Sequence, residues 1–240
     1  MHLEIVSHCW NYSRLLTYQL SSLVLYPPRE LSVTMTVFYN HSDERTMRVL
    51  DYFAAIDVPN VCWRRWHLEQ PQLFRRAIGR NLAALSNTAD WVWFTDCDQV
   101  FHRGLLDALA QRLPRCLQPL AFPTTAGCTE LVRQDDPILA RVEAGPTVVD
   151  IEVERFSPRV HNRAIGALQI ARGDVLREGG YCKDIKRFMR PARQFGRTRE
   201  DVKFRRLLGT PGEALDVPGL YRIEHLVKGR RRWFHFSRSL

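Results

Sequence analysis

The sequence predicts an α/β fold built around a mostly parallel sheet. Strand-like and helix-like hydrophobic patterns alternate through the first half of the 240-residue chain, in the order β-α-β-α-β-α-β. The sequence also lacks an internal repeat, a low-complexity tract or a linker that would divide it. We therefore expect a single domain over residues 1–240.

The first half contains four expected strands, each followed by a helix or a turn. Residues 31–39 show the clearest strand pattern, because apolar and polar side chains alternate there. Residues 13–26 place leucine and valine on one helical face, and Pro27 ends that helix. The other strands are expected at 3–7, 61–67 and 90–95, and the other helices at 42–54, 74–87 and 105–113.

The second half of the chain is less regular. We expect strands at 117–122, 148–153, 166–171 and 220–226, a loop at 123–136 and a helix at 200–208. Residues 187–199 combine several arginines with a proline and a glycine, which suggests a mobile basic loop.

The composition is that of an ordinary globular protein. Hydrophobic residues make up 45% and charged residues 25% of the chain, which excludes disordered and fibrous classes. The six cysteines include no Cys-x-x-Cys pair, which argues against a zinc knuckle and fits a reducing compartment. The N-terminus enters a strand pattern at once, and no segment approaches the roughly 20 apolar residues of a membrane span, so we expect a cytoplasmic protein.

The net charge of +9 is concentrated near the C-terminus. Residues 183–240 carry 16 of the 35 lysines and arginines but only 6 of the 26 acidic residues. Such a block favours an anionic partner: substrate phosphates, an anionic membrane surface or nucleic acid. The tail at 228–240 interleaves arginine with aromatic residues, which is typical of peripheral membrane contact, with a solvated basic tail as the alternative.

Asp96-Cys97-Asp98 is the most informative motif of the chain. It directly follows the apolar run at 91–94, which reads as a buried strand. Two carboxylates at the exit of a buried strand are costly unless a cation neutralises them. Magnesium and manganese prefer such hard oxygen ligands and also bind substrate phosphates. The motif therefore suggests a metal–diphosphate site, with an ordinary polar turn as the alternative.

Three loops are expected to converge on this motif. Ligands of open α/β sheets bind at the carboxyl ends of the strands. The segments 7–12, 39–43 and 95–99 each follow an expected strand of the first half. We therefore expect them to lie side by side around the two carboxylates.

Four segments carry the motif order of a known family. The turn at 6–11 (VSHCWN) ends the first strand, and Arg80-Asn81 precedes the carboxylates. The strand at 91–98 closes in Asp-x-Asp, and the segment 166–180 ends in Gly-Gly before the pair Glu200-Asp201. Together they resemble the nucleotide-sugar glycosyltransferases of the GT-A fold, and within them glycosyltransferase family 2.

The resemblance implies a GT-A domain with a nucleotide-binding half at 1–115 and an acceptor-side half at 116–227. It implies a nucleotide-diphosphate sugar donor, Mn²⁺ or Mg²⁺ as cofactor, and a hydroxyl acceptor, either a saccharide or lipid-linked, with no nucleic-acid partner. Asn40 stands where the family usually has an acidic residue. Donor contacts are implied for Ser7, Cys9, Trp10, Asn11, Asn40, Arg80 and Asp96.

The resemblance also implies metal ligands and a base. Asp98 and Asp96 would bind the metal together with a histidine, for which His225 is preferred over His235. Asp201 would be the general base of an inverting transfer. Structural alternatives are a helix-surface salt bridge for Arg80, a helix-dipole role for the Glu-Asp pair, and simple packing for the histidines.

Two other classes remain open on the sequence. Asp96 and Asp98 also fit the Asp-x-Asp signature of haloacid-dehalogenase-type phosphatases, with Asp96 as nucleophile and Mg²⁺ as cofactor. That family usually opens with its motif, whereas here three strand–helix units precede it. The non-enzymatic alternative is a nucleic-acid-binding module that uses the basic C-terminal quarter.

Overall fold

The structure, a computed structural model, describes residues 1–194 and 198–225. The strands are β1 (His2–His8), β2 (Ser32–Tyr39), β3 (Val61–His67), β4 (Trp91–Phe94), β5 (Gln99–Phe101), β6 (Leu120–Pro123), β7 (Thr125–Thr129), β8 (Phe156–Val160), β9 (Gln169–Arg172), β10 (Glu213–Leu215) and β11 (Leu220–Arg222). The helices are α1 (Ser13–Leu25), α2 (Glu44–Ala54), α3 (Gln70–Leu73), α4 (Arg76–Ser86), α5 (Leu105–Arg112), α6 (Pro137–Ala140), α7 (Gly173–Gly179), α8 (Lys186–Met189) and α9 (Glu200–Leu207).

The described strands form a large sheet and a smaller one. The large sheet has seven strands in the order β10-β6-β9-β4-β1-β2-β3, and β4, β1, β2 and β3 run parallel. Its central strands are buried along nearly their whole length, because helices cover both faces of a parallel sheet. This explains why the patterns at 3–7 and 91–94 are continuous apolar runs rather than alternations.

The small sheet brings the second half of the chain back to the carboxylates. Its order is β5-β11-β7-β8, and β5 begins directly after Asp98. Strand β11 pairs antiparallel with β5, and the Ile223 N–H donates to the Asp98 carbonyl at 2.9 Å. Residue 225, three residues after the end of β11, is therefore held close to Asp98.

The structure confirms the α/β class and the alternation in the first half, and it corrects parts of the second half. The expected loop at 123–136 contains β7, whose Gly127 lies directly against the Tyr221 ring on the neighbouring strand. The expected strand at 148–153 is wrong. This segment packs along α1, where the Val149 N–H donates to the Ser21 hydroxyl, and it joins neither sheet. Strand β9 is antiparallel to both of its neighbours.

Some expectations fall partly or wholly beyond the described residues. The tail at 228–240, His235, the end of the expected strand at 226 and residues 195–197 of the basic loop lie outside them. The beginning of that loop forms the short helix α8. Within the described ranges the longest helix, α1, has 13 residues, and none of the helices is long and apolar enough to cross a membrane.

Candidate active site

The three loops at the carboxyl ends of β1, β2 and β4 meet, as the sequence predicted. The Cys9 N–H donates to the Phe38 carbonyl at 2.9 Å, which joins the first loop to the end of β2. The Cys97 thiol donates to the His8 carbonyl at 3.0 Å, which joins the carboxylate loop to the end of β1. Ligands of parallel sheets bind at this edge, so it is the candidate active site.

Asp96 is neutralised by arginines from α4. Arg76 donates to its carboxylate at 2.6 Å, and a guanidinium nitrogen of Arg80 lies 3.5 Å from the same oxygen. Burial alone would raise the pKa of Asp96, but Arg76 and Arg80 more than offset this and hold that pKa below its usual range. Asp96 is therefore a carboxylate throughout the neutral pH range.

Asp98 is the more buried carboxylate, with 7% of its side chain exposed. The Arg222 Nε donates to Asp98 Oδ2 at 3.0 Å, and the His225 Nε2 lies 3.9 Å from the same oxygen. Burial raises the pKa of Asp98 in spite of the opposing effect of Arg222.

Asp98 and His225 can supply part of a metal shell. Among the described residues, no group of three or more His, Cys, Asp or Glu side chains is arranged to hold a metal ion. Asp98 and His225 provide a carboxylate oxygen and an imidazole nitrogen within 3.9 Å of each other. Magnesium-type cations usually take few protein ligands and complete their shell with water and substrate phosphates. The two residues therefore fit a cation that is bound together with a substrate diphosphate.

Arginines also supply cations to the carboxylate pair, in addition to the metal that the motif suggests: Arg76, Arg80 and Arg222. Arg80 itself has no exposed surface. It donates to the Tyr181 hydroxyl at 3.0 Å and to the Gly166 carbonyl at 2.9 Å. Burial excludes a helix-surface salt bridge, and direct contact between Arg80 and a diphosphate stays a prediction.

Arg76 joins the carboxylate pair to the N-terminus of α9. Its Nε lies 3.6 Å from Glu200 Oε1, while its other end contacts Asp96. Glu200 is buried, and burial would raise its pKa, but Arg76 and Arg80 lower that pKa below its ordinary value. Arg76 belongs to none of the motifs recognised in the sequence, although its position one helical turn before Arg80 places both on one face of α4.

Asp201 is partly exposed. It lies beside the beginning of the segment 166–180, which precedes the Glu200-Asp201 pair in the motif order of the family. A Cβ on Gly166 would lie 3.7 Å from Asp201 Oδ2, and the Gln169 side chain donates to the Asp201 carbonyl at 3.1 Å. The Gly166 carbonyl also accepts from Arg80, and Arg80 lies 3.5 Å from Asp96, so Gly166 and Arg80 connect Asp201 to Asp96.

The first donor loop is held mainly by internal contacts. Ser7 and Cys9 are fully buried; the Ser7 hydroxyl donates to Gln19, and the Cys9 sulfur lies 3.2 Å from the Thr46 hydroxyl. Trp10 is half-buried with its ring edge-on to Phe74, and Asn11 is exposed. Trp10 and Asn11 are thus the members of this group placed to touch a ligand.

The loop after β2 is organised by two polar side chains. The Asn40 amide donates to the Leu68 carbonyl at 2.7 Å and accepts from the Ser42 N–H at 3.0 Å. Asp43, in the sequence only part of an expected helix start, is buried and accepts from the Asn11 N–H at 2.6 Å. Asn11 has a positive φ of 58°, so Asp43 fixes the strained turn beside the site. The contact of Asn40 with a ribose stays a prediction.

The comparisons with known proteins establish the fold. No protein-family model and no curated protein matches the sequence. The structure of S. aureus TarS 1–349 in complex with UDP-GlcNAc matches with a TM-score of 0.59 and 14% identity, over 100% of this chain and 62% of that one. The mannosyltransferase PcManGT from Pyrobaculum calidifontis, in complex with GDP-Man and Mn²⁺, matches with a TM-score of 0.51 and 17% identity, over 92% and 56%.

The chain therefore spans about three fifths of the length of these structures. At such identities the likeness shows the fold alone. The chain has the GT-A-like fold of solved glycosyltransferases, as the resemblance implied.

Proposed function

We propose that the protein is a metal-dependent glycosyltransferase. It moves a hexose from a nucleotide diphosphate to a hydroxyl acceptor, with inversion at the anomeric carbon. The observation that carries the proposal is that Arg76 contacts both Asp96 and Glu200, which joins two motifs far apart in sequence at one edge of the sheet. The fold supports it, because two matching structures hold UDP-GlcNAc and GDP-Man.

The donor would lie across the loops that follow β1, β2 and β4. Trp10 and Asn11 would contact the nucleoside, and Ser7, Cys9 and Asn40 would shape the loops around it. Arg76 is 27% exposed and could turn from Asp96 to the diphosphate, whereas the buried Arg80 would hold Asp96 in place. A divalent cation held by Asp98 and His225, with Asp96 nearby, would supply positive charge to the leaving group.

Asp201 would act on the acceptor. Its carboxylate would take the proton of the acceptor hydroxyl while that oxygen forms a bond to the anomeric carbon. The bond between that carbon and the diphosphate oxygen would break, and the electron pair would leave with the diphosphate. Attack from the face opposite the leaving group would invert the anomeric centre.

The organisation of the chain follows from this proposal. Residues 1–115 would bind the nucleotide and residues 116–227 would bind the acceptor. The basic aromatic tail at 228–240 would give peripheral contact with the inner face of a membrane from the cytoplasm.

A thermal-shift panel of UDP, GDP, dTDP and CMP, each with and without Mn²⁺, tests the donor site. We expect one nucleotide to stabilise the protein only with the metal, since a ligand at about 100 times its Kd adds about 2.7 kcal/mol. Asp98→Ala should lose this stabilisation. Asp135→Ala, an exposed aspartate outside the site, is the matched control.

Asp201→Asn then tests the base. We expect it to bind the nucleotide like the wild type but to lose sugar transfer. Retained turnover would remove Asp201 as the base. No observation favours the phosphatase alternative, and release of phosphate from simple phosphate esters without any nucleotide effect would establish it in place of transfer.

A further inference from the structure

The arginines around the candidate site differ in their partners. On the donor side, Arg76 and Arg222 each contact one of the two aspartates of the Asp-x-Asp motif. Arg163, Arg205 and Arg206, here called the acceptor-side arginines, form no ion pair with any carboxylate in the parts of the chain that the structure describes. The arginines of the donor side are thus paired with carboxylates, whereas the acceptor-side arginines are not.

Arg163 and Arg205 belong to the two segments that meet at Asp201. Arg205 follows Asp201 by one turn on α9, so both lie on the same face of that helix. Arg163 begins the segment 163–166, whose last residue lies against the Asp201 carboxylate. The Ala164 N–H donates to the Pro211 carbonyl at 2.9 Å, which fixes this segment against the chain that leaves α9.

Arg205 carries an unmet hydrogen-bond donor. Its Nε is buried and has no acceptor among the described residues. Burial, together with Arg163 and Arg206, lowers the pKa of Arg205, while Asp201 opposes this. A buried N–H without an acceptor and neighbouring like charges both disfavour the structure as it stands. An oxyanion that accepts from the guanidinium groups of Arg163 and Arg205 would relieve the repulsion between the like charges.

We propose that Arg163 and Arg205 bind an oxyanion of the acceptor, a phosphate or a carboxylate, while the acceptor hydroxyl faces Asp201. This inference rests on the proposed function and adds the chemical class of the acceptor to it. A guanidinium presents a planar fork of donors that matches both oxyanions. A neutral saccharide would leave these arginines without a partner.

Three matched sugars test the proposal: glucose 6-phosphate, glucuronate and uncharged glucose. Their affinities are measured by saturation-transfer NMR, with the donor site filled by the nucleotide from the panel and Mg²⁺. We expect one or both anionic sugars to bind more tightly than glucose, and the preferred one identifies the oxyanion. In Arg163→Gln/Arg205→Gln this binding should weaken by about tenfold or more, with nucleotide binding unchanged.

The control is Arg112→Gln/Arg115→Gln, which removes the same charge from two exposed arginines elsewhere. Equal weakening in both double variants would overturn the proposal, because net charge alone would explain it. Equal affinities of all three sugars for the wild type would also overturn it.

Failure of this inference is distinguishable from failure of the proposed function. If no nucleotide binds, the glycosyltransferase proposal fails, and the same titrations without nucleotide still decide whether the arginines bind an oxyanion. If a nucleotide binds and the arginine variants have no effect, only the acceptor class is wrong.

Discussion

Arg76→Met removes the cation that joins the Asp-x-Asp motif to the Glu200-Asp201 pair. In the wild type, Arg76 contacts Asp96 at 2.6 Å and Glu200 at 3.6 Å. Without it, Glu200 loses its ion pair, and Asp96 keeps only Arg80, at 3.5 Å. The methionine keeps the apolar stem of the side chain, so packing changes little.

The loss of stability in Arg76→Met can be worked out from the contacts that Arg76 makes. A hydrogen bond to a charged group contributes about 1.5–3 kcal/mol, and breaking a buried pair costs about 3–5 kcal/mol. Arg76 is partly exposed and Arg80 remains, so we expect a loss of about 3 kcal/mol in the free energy of unfolding at pH 7. For a protein of this size that lowers the Tm by about 6–12 °C.

The pH dependence gives a second, independent signature. The pKa values of Asp96 and Glu200 are lowered in the fold. The stability that these two carboxylates contribute is therefore complete above about pH 5 and is lost as the pH falls through their unfolded and then their folded pKa values. The stability difference between wild type and Arg76→Met should therefore be largest near neutrality and shrink below about pH 5.

Urea unfolding from pH 3 to 7 measures both effects. Arg65→Met is the control, because Arg65 pairs with Asp51 in a largely exposed ion pair that contributes at most about 1 kcal/mol. If Arg76→Met behaved like Arg65→Met, or its effect did not change with pH, the argument that Arg76 couples the two motifs would be refuted.

Two further predictions concern His8, which lies buried beneath the site. Gly79→Ala should lower the free energy of unfolding by about 1–3 kcal/mol, because the new Cβ would lie 2.2 Å from His8 Nε2. In the His8→Ala background, where the clash is gone, Gly79→Ala should cost much less. Equal costs in the two backgrounds would contradict the clash. Burial, with Arg80 and Arg76, holds the pKa of His8 well below its ordinary value, so the fold keeps His8 neutral while the unfolded chain protonates below about pH 6.5. Between pH 7 and 5 the wild type should therefore lose about 2 kcal/mol that His8→Asn does not lose, and parallel stability curves would contradict this.

The sequence was a reliable guide where hydrophobic patterns are long. The alternation at 31–39 and the apolar stripe of α1 predicted β2 and α1 within a residue or two. Strands β5, β7 and β8 have three to five residues each, and β7 contains two threonines, a glycine and a cysteine. Such segments form strands because a neighbour pairs with them, and no local pattern reports that neighbour.

The candidate site was predictable only in part for the same reason. Asp96 and Asp98 are visible because two charges at the end of an apolar run break the pattern. The contacts of Arg76 and Arg222 depend on groups far away in the sequence, so their roles emerged only from the structure. The hydrogen bond of the Asn40 amide likewise depends on the Leu68 carbonyl, which directly follows the neighbouring strand β3.

The most direct test of the central claim is the affinity for Mn²⁺, measured by electron paramagnetic resonance in the presence of the nucleoside diphosphate that binds. We expect the wild type to bind the cation in a ternary complex and Asp98→Asn to bind it at least about tenfold more weakly. Equal Mn²⁺ affinities of the two proteins, or no protein-bound Mn²⁺ at all, would contradict a metal–diphosphate site at Asp98.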